Sequence, residues 1–318
     1  MSNTDDTQLF AVAARLPAAA VTGPTATGKT RMAVMLARRF NGEIVSLDSR
    51  QIYRGLDIGT GKDLNEYSEG GPEVPCHMLD VAEPGERFDL YQFLAQARQA
   101  IADIRNRGKL PILCGGTPLY LAALLEGYSM EGGEPDSELR SRLEGRPLEE
   151  LLDILRSCAP GELLQRTDLS QERRVIRAIE IARSMNQARM PQPPPMEKVC
   201  IMAPLFTRAE VRERIRIRLD ARLDDGLIEE VRQLHADGVP YSELEWFGLE
   251  YRYIAQYLQG KLSREEMYEL LLIRIRQFAK RQDIWFRKLQ REGHYINWIP
   301  EGNQEEAEKC LRNFLNGN

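Results

Sequence analysis

From Ala18 onward, short continuous apolar runs alternate with longer stretches in which apolar residues recur every three or four positions. Ala18 to Val21 predicts a buried strand, and Met32, Val34, Met35, Leu36 and Phe40 predict a helix that stops near Asn41-Gly42. Glu43 to Leu47 predicts a second strand ending at Asp48-Ser49, and Cys76 to Val81 a third. Leu90, Phe93, Leu94, Ala97 and Ile101 share one face of a helix for which Asp89 is a suitable N-cap. Leu110 to Cys114 predicts a fourth strand, closing in Gly115-Gly116-Thr117, and Val199 to Phe206 a fifth. Alternation of this kind implies an α/β fold, a parallel sheet with helices on both faces. Ligands of such sheets sit at the carboxyl ends of the strands. Asp48, Ser49, Asp80 and Thr117 fall at those ends and are expected to share a cleft with the loop after the first strand.

Between the fourth and fifth strands the pattern changes. Residues 128–190 read as helical and charged, opened by Gly132-Gly133 and Pro135. The run Pro191-Gln192-Pro193-Pro194-Pro195 closes them as a stiff spacer. The expected organisation is therefore a first part of the core in 1–127, an inserted all-helical module in 128–195, and completion of the core with basic C-terminal helices in 196–318. Arg208 to Leu234 predicts a long basic helix or helix pair, and residues 263–291 another, with Arg274, Arg276, Lys280 and Arg281 around Phe278, Trp285 and Phe286. Residues 1–17 read as a frayed tail.

Charge changes this picture more than length does. The 318 residues carry a net charge of −5, which by itself argues against a simple nucleic-acid binder. The arginines are nevertheless segregated into a few segments, and distribution matters more than the sum. Five scattered cysteines without a C-x-x-C pair indicate neither a zinc site nor a disulfide framework. With no signal peptide and no bilayer-length apolar run, a reducing cytoplasm is the expected compartment.

The candidate chemistry begins in the first loop. Gly23-Pro24-Thr25-Ala26-Thr27-Gly28-Lys29-Thr30 matches G-x-x-x-x-G-K-[ST] between a strand and a helix, the context that motif requires. Backbone N–H groups and a helix N-terminus there offer donors to a phosphate chain, Lys29 reaches its terminal phosphates, and the Thr30 hydroxyl would hold Mg²⁺. Asp48, in Asp48-Ser49-Arg50-Gln51, could act as a general base or hold Mg²⁺ through water, or could simply cap a helix. Asp57 to Lys62 is either a second phosphate-facing loop or a glycine-rich turn. Gly115 and Gly116 permit a close backbone approach or tight packing. Arg173, Arg174 and Arg177 share a helix face suited to phosphodiester contacts or to solvent. Arg214 and Arg218, four apart, would grip a pyrophosphate or pair with Glu210, Glu213 or Asp220. The three histidines share no motif, and Trp246, Trp285 and Trp298 read as packing residues.

Six segments in order carry a resemblance: G-P-T-A-T-G-K-T, D-S-R-Q-I-Y-R-G-L-D-I-G-T, G-G-T-P-L-Y, R-R-V-I-R-A-I-E, D-D-G-L-I-E-E-V and A-K-R-Q-D-I-W-F-R. Together, from about residue 18 to 298, they resemble the bacterial tRNA dimethylallyltransferases. The resemblance implies a P-loop core that transfers the dimethylallyl group of dimethylallyl diphosphate to N6 of adenosine 37, beside the anticodon. It implies that residues 23–30 bind the diphosphate with Mg²⁺ at Thr30, and that Arg218, with Arg214, holds the leaving pyrophosphate. Asp48 would accept the N6 proton, Thr117 and Asp48 to Gln51 would contact the flipped adenosine and its neighbours, and Arg173 to Arg177 would meet the tRNA. A monomer is expected, acting on the tRNA anticodon stem-loop and bound to no membrane. The family's usual D-S-M-Q-V-Y appears here with Arg50 and Ile52, its G-T-A-K-P as Gly59-Thr60-Gly61-Lys62-Asp63, its H-P-N-D as Thr167-Asp168-Leu169-Ser170, and its late Gly-Tyr segment as Phe247-Gly248-Leu249-Glu250-Tyr251. Competing readings are a prenyltransferase acting on free AMP or ADP, a P-loop kinase of a small metabolite, and a non-catalytic tRNA-binding protein.

Overall fold

The computed structural model describes residues 16–128, 135–184 and 194–317. The expected tail (up to residue 15), Gly132-Gly133 and the spacer residues 191–193 lie outside the described residues. The chain divides into two compact units, residues 1–126 with 195–318, and residues 127–194.

In the first unit, β1 (Ala18–Val21) is followed by the glycine-rich loop and α1 (Lys29–Arg39), then β2 (Gly42–Ser46), β3 (Cys76–His77), α2 (Leu90–Asn106), β4 (Leu110–Cys114) and α3 (Pro118–Leu125). The second unit holds α4 (Ser137–Leu143), α5 (Leu148–Cys158), α6 (Gly161–Arg166) and α7 (Glu172–Ser184). The chain then returns as β5 (Val199–Leu205), α8 (Arg208–Asp224), α9 (Leu227–Ala236), α10 (Tyr241–Leu244), α11 (Leu249–Leu258), α12 (Arg264–Arg291), β6 (Ile296–Pro300) and α13 (Gln304–Leu315).

The six strands form one parallel sheet in the order β3-β2-β4-β1-β5-β6. β1 lies inside the sheet and is fully buried on both faces, which is why it reads as unbroken Ala-Ala-Ala-Val. Val21 is level with Cys114, and Cys114 with Ser46, so the loops after β1, β2 and β4 leave the sheet side by side. One apolar layer packs α1 and α13 on the sheet through Met32, Leu36, Ile112, Met202 and Leu311. A separate layer joins Tyr53 and Leu56 to α8–α12 through Leu219, Val231, Phe247, Tyr251 and Leu271.

Asp89 caps α2 with a reciprocal bond to Gln92, as its position predicts. One expectation needs correction. The strand predicted for Cys76 to Val81 stops after His77, because Met78 and Asp80 adopt φ of 66° and 53° and turn the chain out of the sheet. Val81 and Ala82 then donate to Ile52 O instead of extending β3. Of the two forms expected for the basic segment 208–234, the structure has the helix pair, broken where Gly226 takes φ 98°. Strand β6 was not anticipated; it ends in proline and sits at the sheet edge, where a missing N–H is tolerated.

In the second unit the apolar faces of α4–α7 close a small core around Leu143, Leu151, Leu155 and Ile179. Glu180 is buried there, accepting from Asp136 N, from Arg140 Nε at 2.6 Å and from Arg177 Nη1 at 3.0 Å. Arg174 pairs with Asp168 at 2.5 Å, while Arg173 is exposed. Among the described residues, no helix is long and apolar enough to cross a membrane.

Candidate active site

The loop after β1 is shaped for an anion. Gly23, Ala26 and Gly28 adopt φ of 131°, 63° and 79°, the alternation in hand by which successive N–H groups can form an anion-binding concavity. Helix α1 starts at Lys29 with no side-chain cap and no acidic residue in its first turn. Its first-turn donors are thus left for an external acceptor. Thr27 Oγ1 donates to Pro24 O at 2.9 Å and Thr22 Oγ1 to Gly115 O at 3.1 Å, which ties the loop to itself and to the turn after β4.

A cavity of about 730 Å³ opens over this loop, within the first unit. Thr25, Ala26 and Gly28 to Thr30 line it, together with Asp48 to Gln51, Gly59 to Gly61, Gly115 to Thr117, Arg214 and Arg218. Lys29 Nζ donates to Pro24 O at 2.8 Å; burial pulls its ammonium down to about 8, and the neighbouring Arg218 adds to the effect. Asp48 caps no helix. Its Oδ1 accepts from Arg50 N at 2.9 Å, closing a tight turn that leaves the other carboxylate oxygen to the cavity wall. Thr117 Oγ1 accepts from Ser49 N at 3.1 Å, so the β2 and β4 turns are locked together at the cavity floor.

Arg214 and Arg218 point from α8 to the loop. Arg214 Nε donates to Ala26 O at 2.7 Å, and Arg218 Nη1 lies 3.4 Å from Thr25 Oγ1. The carboxylates on their own helix go elsewhere, Glu213 and Asp220 to Arg216 and Glu210 to the capping box with Thr207, while Arg218 pairs with Asp63 from another segment. Two guanidinium groups over such a loop have the charge and spacing to grip a diphosphate.

One expectation changes, and two readings left open are resolved. Asp80 lies outside the cavity and holds the fully buried Lys62, together with Asp57. The backbone donors of Asp57, Ile58 and Gly59 do not face a phosphate. All three donate to the Glu230 carboxylate at 2.6–3.0 Å, which also accepts from Tyr251 Oη at 2.7 Å. This turn is internal, and its side facing the cavity is the Gly59 to Gly61 backbone. Replacing Glu230 with alanine should cost about 2–3 kcal/mol, since buried N–H groups lose their acceptor; urea midpoints of wild type and variant at equal slope would measure it. Gly115, finally, serves packing: a Cβ there would lie 2.4 Å from Leu47 O.

Sequence reasoning assigned no role to Gln282, Arg222 or Glu250 and read Trp246 as a packing residue; all four line the cavity. Gln282 on α12 accepts from Thr25 N at 2.9 Å and donates to Gly116 O at 2.6 Å, bolting α12 to both loops. Its signal was its place in A-K-R-Q-D, where a glutamine stands among charged residues on a face that must turn inward. Arg222 lies 3.6 Å from Glu250, and its Nε and Nη2 have no hydrogen-bond partner among the described residues. Burial pushes the Glu250 carboxyl up and pulls Arg222 down to about 10. Arg50 stacks over Trp246 at 4.5 Å, so this tryptophan is cavity wall and not simply core. None of the histidines lines the cavity.

Phosphate loop, paired arginines and an acidic residue in one polar cavity fit an enzyme that handles a diphosphate and a proton. The comparisons agree. An IPP transferase family model matches residues 51–289, and an isopentenyl transferase model matches residues 17–72. The tRNA dimethylallyltransferase 1 of Syntrophus aciditrophicus is 46% identical over 300 residues, 94% of this chain and 97% of that one. The tRNA dimethylallyltransferase 2 of Pelobacter propionicus is 47% identical over 89% of each. The crystal structure of a tRNA isopentenylpyrophosphate transferase from Bacillus halodurans matches with TM-score 0.68 and 31% identity, over 95% of this chain and 96% of that one. A eukaryotic dimethylallyltransferase acting on tRNA shares the fold, with TM-score 0.78 at 23% identity over 95% of this chain and 80% of its own. A family model over most of the chain and relatives 46–47% identical over about nine-tenths of it lead to one conclusion: the chain belongs to the IPP transferase family.

Proposed function

We propose that the protein transfers the dimethylallyl group of dimethylallyl diphosphate to N6 of adenosine 37 in tRNA, releasing diphosphate. The observation that carries this reading is that Asp48 and the phosphate loop line one cavity beneath Arg214 and Arg218. An allylic diphosphate ionises when the leaving charge is neutralised, and Lys29, Arg214, Arg218 and the loop N–H groups supply that neutralisation. The exocyclic amine is a weak nucleophile. Asp48 would align it and take its proton as the C–N bond forms, with Thr117 holding the adjoining turn. The base must leave the anticodon stack to reach the cavity, where Ser49, Arg50 and Gln51 would meet it and its neighbours.

Mg²⁺ fits the donor set. Thr30 and Asp48 offer hard oxygen ligands at the cavity wall, and no cluster of three His, Cys, Asp or Glu exists among the described residues to demand another metal. A Mg²⁺ there would be held mainly by diphosphate oxygens and water and would neutralise the leaving group. We further propose that it acts as a monomer, and the tRNA substrate supports a cytoplasmic site.

In the second unit, Arg173 and Arg174 would meet the phosphodiester backbone, whereas Arg177 is partly engaged with Glu180. Arg174→Ala should weaken tRNA binding alike for all tRNA sequences and lower the salt slope by about 1. Filter binding across a salt series would show it.

The test is labelled dimethylallyl diphosphate with Mg²⁺ and unmodified tRNA, beside tubes holding AMP or no acceptor. Label in tRNA alone supports the proposal. Label in AMP would move the protein to nucleotide prenylation, and phosphate transfer from ATP to a metabolite would make it a kinase.

A further inference from the structure

Among the described residues, Arg218 has one ion-pair partner, and it is neither on its own helix nor in the phosphate loop. It is Asp63, whose Oδ2 lies 2.5 Å from Arg218 Nη2. Asp63 is held firmly for this contact. The preceding Lys62 is fully buried between Asp57 and Asp80, and Asp63 itself adopts φ 49° at the entrance to the turn Leu64–Tyr67. Gly61 leaves room beside it: a Cβ there would clash with Arg222 and come within 2.4 Å of Arg218 Nη2, so both guanidinium groups rest on bare backbone. Asp63, Arg218 and Thr25 all line the same cavity.

We infer that Asp63 is a positioning residue, a stand-in anion that holds Arg218 over the phosphate loop and gives it up when diphosphate binds, so that it sets how tightly the site keeps diphosphate. This rests on reading residues 23–30 as a diphosphate site. The pair is about one-third exposed on each side, so its attraction is weak and readily exchanged. A diphosphate on the loop brings several negative charges to the same guanidinium, and the fixed carboxylate repels them. The two anions therefore compete for one cation. Asp63 keeps Arg218 aimed in the free enzyme and recaptures it as pyrophosphate departs, which favours product release.

The test is binding of inorganic pyrophosphate to the full-length protein by calorimetry, with Mg²⁺ and separately with EDTA, for wild type, D63N, R218Q and the double variant. Asparagine tolerates the left-handed backbone at this position, so D63N should fold. D63N should bind pyrophosphate about three- to fivefold more tightly in both arms, and pyrophosphate should inhibit its turnover correspondingly more strongly. In the R218Q background the gain should vanish, because Asp63 acts through that guanidinium. Unchanged or weaker binding in D63N, or an equal gain without Arg218, overturns the inference. A gain with EDTA alone and a loss with Mg²⁺ also overturns it, making Asp63 a metal-side group. Wild type that binds pyrophosphate but transfers no prenyl group would sink the proposed function and leave the exchange standing. Wild type that binds none would remove both.

Discussion

Asp48→Asn should slow prenyl transfer to tRNA by about 10²- to 10⁴-fold, the usual worth of a positioned general base, while donor binding and fold stay near wild type. The choice of asparagine matters. In the structure Asp48 Oδ1 accepts from Arg50 N at 2.9 Å. An asparagine carbonyl keeps that bond and the turn it closes, but it cannot take a proton. Asp48→Ala removes both, so its loss would mix chemistry with a shift of Ser49 to Gln51. The discriminating measurement is single-turnover transfer at saturating tRNA, where binding defects no longer contribute. If the asparagine variant stays within tenfold of wild type, Asp48 only shapes the turn, and the proton must leave by way of solvent.

The sites that were legible in the chain are those where local sequence dictates local geometry. The glycine-rich loop is one, since its turn and the helix start after it follow from neighbouring residues. The arginines of α8 are another, because four-residue spacing fixes a common face. What was not legible depends on partners far along the chain. Asp80 was expected at a strand end, yet it lies beyond the end of β3 and turns to a buried Lys62 that only the fold brings to it. The Asp57 to Gly59 donors look like an anion-binding turn, and they are one, but the anion is Glu230, some 170 residues away in sequence. Gln282 had to be placed by helix α12 before its amide could be seen to bridge Thr25 and Gly116. Periodicity gives a face, whereas a hydrogen bond across more than 160 residues needs the topology.

Lys29→Met should lower transfer by about 10²- to 10³-fold, as loss of a preorganised donor to developing negative charge does, and the wild-type enzyme should carry a pH signature of the same group. Burial first, with Arg218 beside it, pulls the Lys29 ammonium down to about 8. As pH rises through that value the free enzyme loses the charge that the diphosphate needs. Donor affinity should therefore fall between pH 8 and 9.5, and binding near pH 8 should take up a proton, because the bound anion restores the charge. Calorimetry in two buffers of different ionisation enthalpy would detect that uptake. Lys29→Arg stays charged throughout, so its donor affinity should be flat over this range. Stability of the free protein should move the opposite way. The unfolded lysine, near its ordinary 10.5, binds more protons than the folded one above pH 8. This group's contribution to stability thus rises with pH from about 8 to 10.5. Saturating diphosphate, by restoring the proton to the folded state, should abolish the rise. A change that merely loosened the loop would weaken donor binding and stability together, so opposite slopes in the two measurements single out the Lys29 ammonium.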